Sequence, residues 1–193
     1  MCVIIIKPAG VKMPSNDILE AAYIANPDGC GFVSTNHYYK SLSYARFKAE
    51  LAKVDDSEAC IIHFRLATNG SVKRANCHPF KNHDVFFAHN GVLSIPADGD
   101  KTDSQTAFDR LIYPAIERHG YESPIVDKVV DTIIGGSRFA MMRAGSYDVE
   151  MYGSYMLCED GCYYSNLRFM TWARWAFSAD RCKKLQRRVL CYT

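Results

Sequence analysis

Cys2 stands directly behind the initiator methionine, and its side chain is small enough for that methionine to be trimmed away. A chain that begins with cysteine carries a thiol and a free α-amine on adjacent atoms. The amine, with an ordinary pKa of about 8, can take the thiol's proton, so one residue supplies both nucleophile and base. Other polar groups sit where strands run out. His63-Phe64-Arg65-Leu66-Ala67-Thr68-Asn69-Gly70 leaves an apolar run and enters a glycine turn. An arginine at such a point can clamp a carboxylate with its planar fork. Ala88-His89-Asn90-Gly91 ends the same way, and an Asn-Gly pair can aim a side-chain amide and a backbone N–H at one oxyanion. Thr102-Asp103-Ser104 opens a helix, where Asp103 reads either as an N-terminal cap or as the carboxylate that meets a substrate ammonium. Each feature also has a plain reading: an incidental cysteine, a hairpin turn, a cap.

The elements that must position these groups follow from apolar spacing. Val3-Ile4-Ile5-Ile6 predicts a strand buried on both faces, ended by Pro8 and Gly10. Asn16 to Ala25 reads as a helix, and Asn26-Pro27-Asp28-Gly29 as a turn. A hairpin follows over Gly31–Thr35 and His37–Ser41, then a helix capped by Ser43 with Phe47, Leu51 and Val54 on one face. Ala59–Leu66 and Val85–Ala88 predict strands. Thr106 to His119 is helical with Pro114 as a kink or an end, and a second helix runs from Ser123-Pro124 to Gly135. Strands at Arg138–Arg143, Val149–Leu157 and Cys162–Ser165 come next, with Glu159-Asp160-Gly161 as a hairpin turn, and the ending reads as helical and basic. Strands, helices and strands again predict a layered α+β domain with antiparallel sheets against helices.

The 193 residues read as one domain, with 48% hydrophobic and 23% charged residues. Such a composition excludes a disordered, collagen-like or coiled-coil chain, and no apolar run is long enough to span a membrane. Nothing argues for secretion, and the eight cysteines are too dilute for a disulfide scaffold. They read as mostly reduced thiols in a cytoplasmic setting, with Cys158 and Cys162 free across their hairpin. From Tyr164 onward there are seven Lys/Arg against Asp180 alone, while the overall charge is only +2. This basic segment reads first as a solvated face and second as a surface for an anionic partner. Trp172, Trp175 and Phe177 within it read as core aromatics rather than a nucleic-acid surface. His63, Cys77, His78, His83 and His89 lack metal-ligand pairing, so no metal is expected. No phosphate-binding glycine loop is present either.

Taken together, Met1-Cys2, Asn26-Pro27-Asp28-Gly29-Cys30-Gly31-Phe32, His63-x-Arg65-x-Ala67-Thr68-x-Gly70, Asn76-x-His78-Pro79, His89-Asn90-Gly91 and Thr102-Asp103-Ser104 resemble the glutaminase domain of class II glutamine amidotransferases. These belong to the N-terminal nucleophile (Ntn) hydrolase superfamily. The resemblance covers roughly residues 2 to 110, with a weaker echo at Ser165-Asn166. It implies a four-layer α-β-β-α sandwich over residues 1–193, with two antiparallel sheets between helical layers. It implies Cys2 as nucleophile, Asn90 and Gly91 as oxyanion hole, Arg65 and Asp103 as holders of the glutamine α-carboxylate and α-amine, and Thr68 as a wall of the substrate pocket. Asp28 and Gly29 would lie in a turn beside the site, and His63 and His78 would be structural. No metal or organic cofactor is needed. The substrate is glutamine or a related amide, and a protein partner could accept the ammonia.

The chain also departs from that pattern. Val3 stands where family members commonly have glycine, and Asn69 where sugar-phosphate-directed members have histidine. No ammonia-consuming synthetase domain follows before Thr193. Two other readings accompany the first: an Ntn amidase for a different γ-glutamyl or acyl amide, and a catalytically silent module that engages a partner through its basic end.

Overall fold

Residues 2–68, 70–171, 183–186 and 189–190 are described by a computed structural model. The apolar run at the N-terminus forms strand β1, Val3–Lys7, with every residue buried. Its side chains alternate between two cores. Val3 and Ile5 pack with helix α1 (Asn16–Ala25) and helix α2 (Tyr44–Leu51). Ile4 and Ile6 point the other way, onto Phe86, Ala88, Ala140 and Met142 of the second sheet. Each such fully buried side chain contributes on the order of 1.5–3 kcal/mol relative to its exposed state, which is why β1 is held rigidly. Lys7 ends the strand with its ammonium buried, donating to the carbonyls of Pro8, Asp56 and Glu58.

The first sheet contains β1, β2 (Cys30–Ser34), β3 (Tyr38–Ser41), β4 (Cys60–Phe64), β9 (Ser154–Leu157), β10 (Tyr163–Tyr164) and β11 (Lys183–Gln186), in the order β11-β9-β10-β1-β4-β2-β3. The second holds β5 (Phe80–Asn82), β6 (Val85–Asn90), β7 (Arg138–Arg143), β8 (Val149–Tyr152) and β12 (Val189–Leu190), in the order β12-β8-β7-β6-β5. All recorded pairings are antiparallel. A third core, around Phe87, Phe108, Phe139, Val126 and Val130, packs the outer face of the second sheet against α3 (Asp103–Ala107), the helical run that follows it, and α5 (Pro124–Ile134). Helix, sheet, sheet, helix is the four-layer α+β sandwich expected from the family resemblance.

Several elements differ from the sequence reading for identifiable reasons. The helix opening at Asp103 continues to His119 as one run, because a wide π segment at Phe108–Ile112 precedes α4 (Tyr113–His119). Pro114 falls at the junction of the π segment and α4, where the helical hydrogen-bond register changes, and neither ends the run nor starts a new one. The stretch Val149–Leu157 is two strands rather than one. Gly153 separates them at φ +88°, where a Cβ would meet the Ser137 carbonyl oxygen at 2.5 Å. There the chain leaves the second sheet and enters the first. The ending is not helical where it is described: β11 pairs with β9 and β12 with β8, so both sheets gain an outer strand. Strand pairing overrides local propensity at these edges. Trp172, Trp175 and Phe177 lie outside the described residues. Cys158 is disulfide-bonded, contrary to its reading as a free thiol, whereas Cys162 is free. Among the described residues no helix is long and apolar enough to cross a membrane.

Candidate active site

Cys2 lies at the head of β1, at one end of the seam between the sheets. Its thiol donates to the Leu66 carbonyl at 3.4 Å and accepts from the Leu66 N–H at 3.3 Å, where the chain leaves β4. Burial raises the thiol's pKa above its ordinary value, with the Leu66 contact and the Arg65 charge acting in the opposite direction. The resting sulfur therefore keeps its proton and needs a base to become a nucleophile. The Cys2 carbonyl accepts from the Asn166 amide at 2.8 Å.

A tight cleft beside this sulfur is lined by Cys2, Arg65, Thr68, Gly91 and Asp103, five of the six residues singled out from sequence. Arg65 reaches it from the end of β4 and is itself buried. Its guanidinium donates to the carbonyls of Ser71 at 3.1 Å and Gly70 at 3.4 Å. The Asp28-Gly29 turn holds this strand end in place. Arg65 N–H donates to the Gly29 carbonyl at 2.7 Å, Asp28 N–H to the Arg65 carbonyl at 2.9 Å, and Ala67 N–H to the Asp28 carboxylate at 2.8 Å. Gly29 has φ +140°, and a Cβ there would lie 2.3 Å from Cys77 Sγ, so only glycine fits the turn. Asn69 is outside the described residues.

Asp103 reaches the cleft from the start of α3. The cap of α3 is Thr102, whose hydroxyl accepts from Gln105 N–H, so Asp103 sits one position inside the helix and is not the cap. Its carboxylate accepts from Leu93 N–H at 3.0 Å and from both the N–H and hydroxyl of Ser104 at 2.7 and 3.1 Å. The Ser104 hydroxyl also lies 2.6 Å from His89 Nδ1.

Three imidazoles cluster around the cleft, tilted or edge-on to one another. His78 and His89 line it, and His63 lies beneath, with its ring centroid 4.3 Å from that of His78. Burial holds all three neutral: His63 is pushed down to about 3, His89 to about 4, and His78 well below its ordinary value. Sequence reasoning did not place His89 or Ser104 on the cleft wall; the only signal was their adjacency to Asn90 and Asp103.

Asn90 lies behind the wall rather than on it. It ends β6, is 1% exposed, and stands 2.8 Å through Nδ2 from the Ser165 hydroxyl. Gly91 follows with φ +148°, and a Cβ there would lie 2.1 Å from Ser137 Oγ and 2.9 Å from Ser137 Cα. Glycine at 91 is therefore required by the backbone path, which also brings Gly91 to the cleft beside Cys2.

Comparison with known proteins gives this arrangement a context. The family model described as glutamine amidotransferases class-II matches residues 44–146, more than half of the chain. A probable glutamine amidotransferase of Saccharomyces cerevisiae, DUG3, is 28% identical over 114 residues, half of this chain and 31% of the yeast protein. Among solved structures, the glutamine phosphoribosylpyrophosphate amidotransferase of B. subtilis superposes with a TM-score of 0.60 at 17% identity, covering 96% of this chain and 49% of that one. An allosteric regulatory enzyme of purine biosynthesis gives 0.57 at 15% identity with the same coverage. The chain thus spans about half the length of the solved relatives and under a third of the yeast one. The structural likenesses establish the Ntn hydrolase-type fold. With the family model matched over most of its central region, the chain belongs to the class II glutamine amidotransferases, enzymes that act on a carboxamide C–N bond.

Proposed function

We propose that the chain releases ammonia from glutamine with Cys2 as an N-terminal nucleophile, through a γ-glutamyl thioester. The observation that carries this reading is the convergence of Cys2, Arg65, Thr68, Gly91 and Asp103 on one cleft from separate elements. Glutamine as substrate is supported by family membership and by the amidotransferase relatives.

Arg65 holds the α-carboxylate with its fork, and Asp103 holds the α-ammonium with a carboxylate fixed by three donors. With Met1 removed, the Cys2 α-amine takes the thiol proton, which the buried thiol does not give up unaided. The sulfur attacks the side-chain amide carbon, and the carbonyl π electrons move to oxygen. The Gly91 N–H on the cleft wall and the Asn90 side-chain amide just behind it stabilise that oxyanion. On collapse the C–N bond breaks and the α-ammonium returns its proton to the leaving nitrogen, which departs as ammonia. Water then adds to the thioester, giving glutamate and the free thiol. An ammonia-accepting partner fits the same reading.

Intact mass and a glutaminase assay test it. Active protein lacks Met1, Cys2→Ala is inactive, and Cys2→Ser retains at most a trace, because a hydroxyl is a far poorer nucleophile. An acid-quenched reaction carries a γ-glutamyl group on the Cys2 peptide. Full activity with Met1 retained overturns the mechanism.

A further inference from the structure

We infer that Ser165 is a positioning residue for the chemistry at Cys2: its hydroxyl decides which end of the Asn90 amide faces the oxyanion. The inference rests on the reading of Asn90 as an oxyanion donor.

Ser165 follows β10 and is 2% exposed. It grips Ile4, two residues from the nucleophile, on both backbone groups. Ser165 N–H donates to the Ile4 carbonyl at 2.9 Å, and its Oγ accepts the Ile4 N–H at 2.8 Å. The same Oγ accepts from Asn90 Nδ2 at 2.8 Å. In that orientation the hydroxyl accepts twice, and its own proton has no recorded acceptor among the described residues. Asn90 Oδ1 is buried and also has no partner among them. A hydroxyl proton without an acceptor thus lies beside an amide oxygen without a donor, where buried polar groups are ordinarily paired.

One half-turn of the Asn90 amide repairs both. The oxygen and nitrogen of a carboxamide are nearly the same size, so the hydrogen-bond network sets their orientation. With Oδ1 turned towards Ser165, the hydroxyl donates to it at the same 2.8 Å separation. Ile4 N–H continues to donate to Oγ. Donation then runs one way, from Ile4 N–H through Ser165 O–H to Asn90 Oδ1, and Nδ2 takes the place of the orphaned oxygen. Its N–H groups are left for an acceptor that exists only when Cys2 adds to the substrate carbonyl. Without the Ser165 hydroxyl nothing holds this orientation, and the amide can present its oxygen, a dipole of the wrong sign for an oxyanion.

The test is a double-mutant cycle on glutamine hydrolysis. Ser165→Ala should lower kcat about 10- to 100-fold, less than the roughly 100- to 1000-fold for outright loss of an oxyanion donor because the amide itself remains, with KM changed less than about two-fold. Ser165→Thr, which keeps the hydroxyl, should stay within about three-fold of wild type, on the same scale. In an Asn90→Gly background the Ser165→Ala change should cost less than about two-fold, since the amide it orients is gone. If Ser165→Ala does not fold, Ser165→Cys, with its feeble S–H donor, should show the same kcat loss and the same coupling. An equal loss with and without Asn90 shows that Ser165 only braces β1, and overturns the inference alone. A wild type without Cys2-dependent hydrolysis overturns the reading of the site and this inference with it.

Discussion

The Asn166 side chain donates to the carbonyl of Cys2 at 2.8 Å across 164 positions of sequence. The segment leaving β10 thus holds the backbone of Cys2, while Leu66 holds its sulfur. Asn166 Oδ1 is occupied separately, accepting from Arg168 N–H at 3.1 Å. Asn166→Asp therefore keeps the local turn and replaces the donor towards Cys2 with a carboxylate oxygen that the carbonyl repels. Both Asn166→Asp and Asn166→Ala should lower kcat for glutamine about ten-fold, the worth of roughly 1–1.5 kcal/mol for a lost hydrogen bond. A variant pair in which Asp is normal and Ala impaired would assign Asn166 to the turn alone.

Arg65 and Asp103 line the same cleft, and the proposed function divides the two charges of a free amino acid between them. Arg65→Lys keeps the charge but loses the fork, and should raise KM for glutamine about ten-fold or more, from 1.5–3 kcal/mol for a charge-assisted contact. Asp103→Asn should do likewise. Wild type should turn over a neutral primary amide such as butanamide far more slowly than glutamine, and the Arg65 and Asp103 variants should narrow that gap. Equal turnover of the two amides by wild type points to a general amidase.

The buried titrating groups make a prediction about pH. His63, His78 and His89 have pKa values lowered by burial, so between their folded values and about 6.5 only the unfolded chain is protonated there. Their contribution to stability is present above pH 6.5 and is lost as pH falls. Glu150 has the opposite sign. Burial raises it to about 7, so the folded chain holds a proton that the unfolded one releases above about pH 4.5. Its contribution is lost as pH rises through 7. At pH 5.5 these four groups together should take up about two protons on unfolding, three gained by the histidines and one lost by Glu150. Calorimetry in buffers of different ionisation enthalpy measures that number. Glu150→Gln should raise it to about three, and should stabilise the protein more at pH 8 than at pH 5.

Gly91→Ala tests the backbone path beside the cleft. The added methyl would stand 2.1 Å from Ser137 Oγ and 2.9 Å from Ser137 Cα, at a φ of +148° that L side chains rarely adopt. Rotation of Ser137 relieves the first contact and not the second. A loss of roughly 2–4 kcal/mol in denaturant unfolding is expected, from strain added to overpacking. Little change in stability would mean that the β6–β7 seam yields at this point.

Much of this was legible in the sequence because it is local. Ser43 and Ser123 cap the helices expected of them, and α1 has the predicted bounds. β1 reads correctly because four consecutive apolar residues have no other use at that length. The cleft was legible through motifs, since Arg65, Gly91 and Asp103 each sit where an element ends. What stayed hidden depends on partners distant in sequence. The strands at 183–186 and 189–190 exist as neighbours of β9 and β8, and no short-range pattern announces that. The proton wiring of Ser104 to His89, and of Ser165 to Asn90 and Ile4, joins positions 15 to 161 apart. Gly153 was read through because both flanking segments are strand-like.

That glycine has a wider consequence. Because the chain crosses between sheets at a single residue, Tyr152 and Ser154 cannot peel away independently: opening either strand pulls on the other through one shared backbone joint. The two layers should then behave as one cooperative unit. In native-state hydrogen exchange, amides of β8 and β9 should open with the same free energy and the same denaturant dependence, instead of as two separate foldons.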